Sequence, residues 1–260
     1  MCPCDQESAE LREHLQLRYH FARAISSKFG IPLSSALGNY TDLRRRLGFD
    51  PATPAGQSRT WLAFVGTLEE AERRGADPLQ LIVDFCRSAG PPIEGNPEHR
   101  FGSFRFDNVD ADRRIELHFG HIDLTRPSDI GAPSFVSVER MDESMNDLKR
   151  LFSFVRRQYP AAQEVFSPSW LFNYPALCRL FPPEFTRHMA ESRREFTGGS
   201  RWGQFIDRNG RLNRQRAEQL MARLETITSI ETLALAFPLA RKIARAPIGC
   251  LYRFYGVEER

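Results

Sequence analysis

Two stretches decide the fold, Phe104-Arg-Phe-Asp107 and Arg114-Ile-Glu-Leu-His-Phe119, in which apolar and polar residues alternate. Successive side chains of a β-strand point to opposite faces of the sheet, so this alternation predicts two strands. The polar, turn-rich residues 108–113 between them complete a hairpin. We expect its apolar face to carry Phe104, Phe106, Ile115, Leu117 and Phe119, and its polar face to carry Arg114, Glu116 and His118.

The chain before the hairpin has the helical period instead. Apolar residues recur at three- and four-residue spacing over 8–29, 58–74 and 78–88, which is typical of amphipathic helices. The segment Gly90-Pro-Pro-Ile-Glu-Gly-Asn-Pro97 separates the two patterns, and its density of glycine and proline favours a boundary. We therefore predict a helical N-terminal domain over residues 1–95 and a mixed domain over residues 96–260.

After the hairpin, helical and strand patterns are interleaved. Helices are predicted over 141–158, 213–226 and 229–237, and strands over 164–166, 185–196, 201–207 and 249–255. This order predicts an α/β or α+β domain, with one mixed sheet flanked by helices.

Composition excludes several classes of protein. The 260 residues are 41% apolar and 27% charged, which is ordinary for a globular protein with its own core. There is no apolar run of 18 or more residues, and residues 1–30 are charged throughout. We therefore expect no membrane span and no secretory signal. The five cysteines show no framework spacing, which favours reduced thiols in the cytoplasm. Cys2 and Cys4 are too close in sequence for the usual zinc pattern, so no metal is expected.

The basic residues are almost all arginine. Of 36 basic residues 33 are arginines, although the net charge is only +3. Arginine suits carboxylate and phosphate ligands, which indicates an anion-binding protein; the alternative is a GC-rich genome that encodes surface charge as arginine. Acidic and basic residues are interspersed and no nucleic-acid module is recognisable, so no nucleic-acid partner is expected.

The sequence has no P-loop, dinucleotide-binding, zinc-protease or serine-hydrolase motif. Glu116 and His118 share a strand face, where a carboxylate beside an imidazole can orient a general base. The alternative is a solvated hairpin face. A second candidate is Arg208-Asn-Gly-Arg211, between the predicted strand 201–207 and the helix 213–226. Helix N-termini and arginines attract phosphate, but Asn-Gly also makes a plain turn.

The strand Arg114–Phe119, the helix 141–158, the element Ser167-Pro-Ser-Trp-Leu-Phe172 and the stop Leu180-Phe-Pro-Pro-Glu184 follow one another in a recognisable order. This order resembles the C-terminal domain of bacterial GNAT-like acyltransferases that carry a helical N-terminal domain. It is also similar to bacterial proteins with a "SWLYN…LFPP…WGQF" pattern, from which no function follows.

The resemblance implies transfer of an acyl group from acyl-CoA, as co-substrate, to a small amine acceptor. Glu116 or His118 would then be the base, and Tyr252 or Tyr255 would protonate the leaving thiolate. The sheet would splay around the pantetheine arm, with the phosphates near Arg208, Asn209, Gly210 and Arg211. That loop lacks the paired glycines of the family. The alternative is therefore a non-catalytic binding or interaction protein on the same scaffold.

Overall fold

The computed structural model describes residues 3–50, 53–89, 96–109, 113–120, 134–192, 201–207 and 209–257. The helices are α1 (Pro3–Phe29), α2 (Leu33–Tyr40), α3 (Leu43–Arg46), α4 (Arg59–Arg73), α5 (Pro78–Ala89), α6 (Met141–Gln158), α7 (Pro175–Cys178), α8 (Pro183–Thr186), α9 (Arg214–Thr226) and α10 (Ile248–Phe254). The strands are β1 (Arg100–Phe101), β2 (Phe104–Val109), β3 (Arg114–Phe119), β4 (Glu164–Ser169), β5 (Ala190–Glu191) and β6 (Lys242–Pro247). Mixed α+β structure is thus confirmed.

The chain forms two compact units, Met1–Ile93 with Arg194–Pro238, and Glu94–Arg193 with Leu239–Arg260. This division corrects the predicted domains 1–95 and 96–260, because residues 194–238 belong to the first unit. The reason lies in aromatic packing. The ring of Phe21 on α1 lies 5.2 Å from the Trp202 ring and 5.7 Å from the Phe237 ring. Local periodicity cannot predict a core that is formed by residues so far apart in sequence.

In the first unit the helices predicted over 8–29, 58–74, 78–88 and 213–226 are confirmed. The strand predicted over 201–207 is wrong. Residues Trp202–Phe205 form a 3-10 helix, and Ile206 makes only an isolated bridge to Leu212. Trp202 and Phe205 are three residues apart, so a 3-10 turn places both on one side, where both are fully buried.

The second unit contains the sheet, in the order β1-β2-β3-β4-β6-β5. The predicted hairpin is confirmed as the antiparallel pair β2–β3, with Phe106 opposite Leu117. β3 and β4 are parallel and joined through α6, and the remaining pairs are antiparallel. The core lies on one face of the sheet, where α6 packs on β1 and β2 and α10 packs on β6 and α6. Of the five residues predicted to face inward, four are at most 1% exposed, namely Phe104, Phe106, Ile115 and Leu117. The fifth, Phe119, is half-buried.

Two strand predictions in this unit are wrong. Within 185–196 the described residues hold the end of α8 and the two-residue strand β5, because Pro183 starts a helical turn that buries Phe185. Residues 193–196 lie outside the described part. Residues 249–255 belong to helix α10 and its cap, and the strand precedes them as β6. Ile248, Leu251 and Tyr255 are all buried at helical spacing, a pattern hidden by the strand-like composition of this stretch.

Candidate functional site

The parallel strands β3 and β4 pair with each other over only the first half of their length. Their ladder pairs Arg114 with Glu164, Ile115 with Val165 and Glu116 with Phe166. Both strands continue for three more residues, but within the described chain no further ladder pair joins them. On its outer side each strand stays paired, β3 with β2 and β4 with β6. We call the unladdered stretch between β3 and β4 the opening; on both sides it is flanked by strands that stay paired with their outer neighbours.

A side chain, rather than the backbone, spans the start of this opening. The hydroxyl of Ser167 donates a 2.7 Å hydrogen bond to the Leu117 carbonyl, and Ser167 is fully buried. Aromatic side chains line the core side beyond it. The Phe119 ring lies 5.4 Å from that of Phe172 and 5.9 Å from that of Phe181. The opening between β3 and β4, defined by Leu117–Phe119 and Ser167–Ser169, thus has an apolar floor.

A polar cluster lies on the opposite face of the hairpin. Nε2 of His118 lies 2.9 Å from Oδ2 of Asp107 and 4.0 Å from Oε1 of Glu116. The guanidinium of Arg105 lies 3.6 Å from the same Asp107 oxygen. The hairpin register explains this arrangement, because it places Asp107 opposite Glu116 and Arg105 opposite His118. Glu116 and His118, which the sequence predicted to share a face, are indeed brought together.

The carboxylate nearest to His118 is Asp107, which sequence reasoning did not select. The pKa of the Asp107 carboxyl is lowered, first by hydrogen bonding with His118 and then by the charges of His118 and Arg105. A carboxylate 2.9 Å from one imidazole nitrogen can orient the ring and leaves the other nitrogen to act as a base. Only the register of the hairpin reveals the Asp107–His118 pair, since eleven positions separate the two in sequence.

The two predicted tyrosines differ in their surroundings. The Tyr255 hydroxyl donates a 2.6 Å hydrogen bond to the Leu180 carbonyl inside the core, and burial raises its pKa well above the usual value. Tyr252 is half-buried, with the Arg156 guanidinium 5.0 Å from its ring centre, and burial raises its pKa to about 12. Tyr255 therefore holds a structural bond, whereas the Tyr252 hydroxyl stays protonated at neutral pH.

The predicted phosphate loop lies in the first unit, and Arg208 is outside the described residues. The backbone N–H groups of Asn209 and Arg211 donate to the Asp207 carboxylate at 2.7 and 2.9 Å. The N–H of Gly210, whose φ of +78° suits glycine, donates to the Asp207 carbonyl. The amides that would hold a phosphate are thus used by the loop itself, as in a plain turn.

The nearby arginines also have acidic partners on α1. Arg211 lies 3.5 Å from a carboxylate oxygen of Glu10, and Arg214 lies 2.6 Å from one of Glu13. This geometry gives no support to phosphate binding by Arg208, Asn209, Gly210 and Arg211, which stays a prediction.

Among the described residues, no three or more His, Cys, Asp or Glu side chains converge as a metal site would require. Within the same residues, every helix is too short or too polar to cross a bilayer. Comparison with protein-family models, with curated proteins and with solved structures found no match to this chain.

Proposed function

We propose that this protein transfers an acyl group from a coenzyme A-type thioester to a small amine. One observation carries the proposal: β3 and β4 are parallel, stop pairing after Glu116 and Phe166, and continue side by side. A sheet that splays to hold a pantetheine arm is what the resemblance to GNAT-like acyltransferases implies. The mixed sheet and its opening support a GNAT-like arrangement of the second unit.

The opening suits a pantetheine arm chemically. Backbone groups on the inner edges of β3 and β4 beyond the ladder can bond to ligand amides in the way that an added strand bonds to a sheet edge. Pro168 has no N–H, so β4 offers carbonyl acceptors there rather than a donor. The aromatic floor of Phe119, Phe172 and Phe181 supplies apolar contact for the alkyl parts of the arm.

The polar cluster provides a base on the strand that forms one side of the opening. The amine acceptor must be neutral to attack the thioester carbonyl, and it loses a proton as the C–N bond forms. In this proposal His118, oriented by Asp107, takes that proton, with Glu116 as the second candidate. The C–S bond then breaks. Tyr252 stays the predicted acid for the leaving thiolate, although it packs with Phe152 of α6 on the core face and the His118 cluster lies on the other face. The loop Arg208–Arg211 has no part in the proposal.

Acyl transfer of this kind places the protein where acyl-CoA and reduced thiols occur, in the cytoplasm. Cys86, Cys178 and Cys250, the cysteines whose side chains the structure describes, are free thiols, which agrees with that location.

The test measures acetyl-CoA binding and thiol release in the presence of a panel of primary amines. We expect His118→Gln to lower thiol release by about 10²-fold or more, the usual contribution of a general base, without weakening acetyl-CoA binding. Asp107→Asn should lower thiol release less, since the Asp107 carboxylate acts through His118. Glu164→Gln is the matched control, because it removes a carboxylate from the same sheet face at the far end of β4.

Three outcomes would decide the matter. Binding with turnover that fails only in the His118 and Asp107 variants supports the enzyme. Binding without turnover favours the non-catalytic alternative. No binding of acetyl-CoA or of longer acyl-CoAs contradicts the proposal altogether.

A further inference from the structure

The second unit contains a solvent-open pocket of about 580 Å³, which shares Phe172 and Phe181 with the aromatic floor described above but whose charged groups the acyl-transfer proposal does not use. It is bordered by the turn after β4, by α7 and α8, and by the start of β6. Its apolar lining consists of the half-buried Met189 and the edges of the buried rings of Phe172 and Phe181, and the half-buried Cys178 also lines it. The pocket is open to solvent on one side, and its lining is mostly apolar with a few placed polar groups, as in small-molecule sites.

The charged groups that line the cavity are of one sign. They are Arg179, which is exposed, and Lys242, which is half-buried; no Asp or Glu lines it among the described residues. The ammonium group of Lys242 lies 3.4 Å from the Phe172 carbonyl, and neither cation forms an ion pair within the described part of the chain. Glu191 stands opposite Lys242 in the β5–β6 register, but it is exposed and does not line the cavity.

Lys242 is also close enough to Cys178 for its charge to act on the thiol. Burial raises the pKa of the Cys178 thiol, and the Lys242 charge lowers it in part. The cavity therefore combines an apolar wall, a positive rim and a thiol that reports on occupancy.

We propose that this cavity binds an amphipathic carboxylate, with the alkyl or aromatic part against Phe172, Phe181 and Met189 and the carboxylate between Lys242 and Arg179. An ammonium group without an anionic partner at the mouth of an apolar cavity favours an anion over a neutral ligand of the same shape. The proposal does not depend on acyl transfer, and its test contains no thioester.

The experiment uses octanoate as the probe, with octanamide and octylamine as neutral and cationic analogues. Alkylation of Cys178 by N-ethylmaleimide is followed by peptide mass spectrometry on the full chain. Cys250, which lies in the same unit but does not line the cavity, is the internal control. We expect octanoate to slow alkylation of Cys178 alone, octanamide to do so about tenfold less effectively, and octylamine not at all.

Charge variants identify the anion site. Lys242→Met keeps the alkyl stem and should weaken octanoate protection about tenfold, the effect of losing one charged hydrogen bond, to the level of octanamide. Arg245→Met is the matched control, since it removes a cation from the same strand but the opposite sheet face. Arg179→Gln changes an exposed residue and should weaken octanoate protection even if Lys242→Met unfolds.

Some results would overturn the proposal. These are equal protection by all three probes, no protection by octanoate, or unchanged octanoate protection in both the Arg179 and the Lys242 variants.

Discussion

Replacing Tyr255 by Phe removes one hydroxyl from the core of the second unit and separates a structural role from a catalytic one. Tyr255 is 5% exposed, and its hydroxyl donates a 2.6 Å hydrogen bond to the Leu180 carbonyl. Its ring stacks on that of Phe152 at 5.2 Å, a contact that phenylalanine retains. The change therefore removes one buried hydrogen bond and leaves the packing, which should cost about 1–3 kcal/mol.

Hydrogen exchange at rising urea concentration, read from peptides of α6, measures this loss in the second unit. We expect the Tyr255→Phe variant to open at lower urea while thiol release from acetyl-CoA is unchanged. Tyr252→Phe is the comparison: it should lower thiol release, because Tyr252 is the predicted acid. The reasoning is refuted if Tyr255→Phe leaves exchange unaltered, or if it abolishes thiol release without a loss of stability.

Three further predictions concern stability. Burial lowers the pKa of His14 to about 4, so the unfolded state binds the proton more tightly than the folded state. The free energy of unfolding should therefore fall by about 3 kcal/mol as the pH falls from about 6.5 through about 4. In acid denaturation of the first unit, His14→Gln should remove this dependence. Leu117→Ala should lower the free energy of unfolding, measured by urea denaturation, by about 2–5 kcal/mol, since Leu117 is 1% exposed. A loss under about 0.5 kcal/mol would contradict its burial. Gly102→Ala should cost about 2 kcal/mol or more, because φ is +56° and the new Cβ would lie 1.8 Å from Asp147 Oδ2; an unchanged melting temperature would show that Asp147 moves freely.

The local hydrophobic period was sufficient to predict secondary structure where one face of an element is buried. The hairpin and helix α6 follow this rule. The predicted bounds of β3 and α6 agree with the structure, whereas β2 runs to Val109, two residues into the predicted turn. It failed where composition and period disagree. The stretch 249–255 is rich in strand-forming residues, yet Ile248, Leu251 and Tyr255 bury one helical face. In β6 the small residues Ala244 and Ala246 are the buried ones, so the strand carries no strong apolar signal.

Site residues were predictable to the extent that they are close in sequence. Glu116 and His118 share a strand face, which periodicity shows. Asp107 became visible only through the hairpin register, and the opening between β3 and β4 only through the point where their ladder ends. The turn after Asp207 shows the opposite case. An Asn-Gly pair with nearby arginines fits a phosphate loop in sequence, but the Asp207 carboxylate takes the amides.

Hydrogen exchange of β3 and β4 with and without acetyl-CoA tests the central claim most directly. The claim is that a thioester's pantetheine arm lies between the strands beyond Glu116 and Phe166. It predicts slower exchange of the amides in Leu117–Phe119 and at Ser169 when acetyl-CoA is bound, while the laddered halves of both strands, already bonded, change little. Unchanged exchange at saturating acetyl-CoA, or slowing confined to residues 209–214 of the other unit, would contradict it.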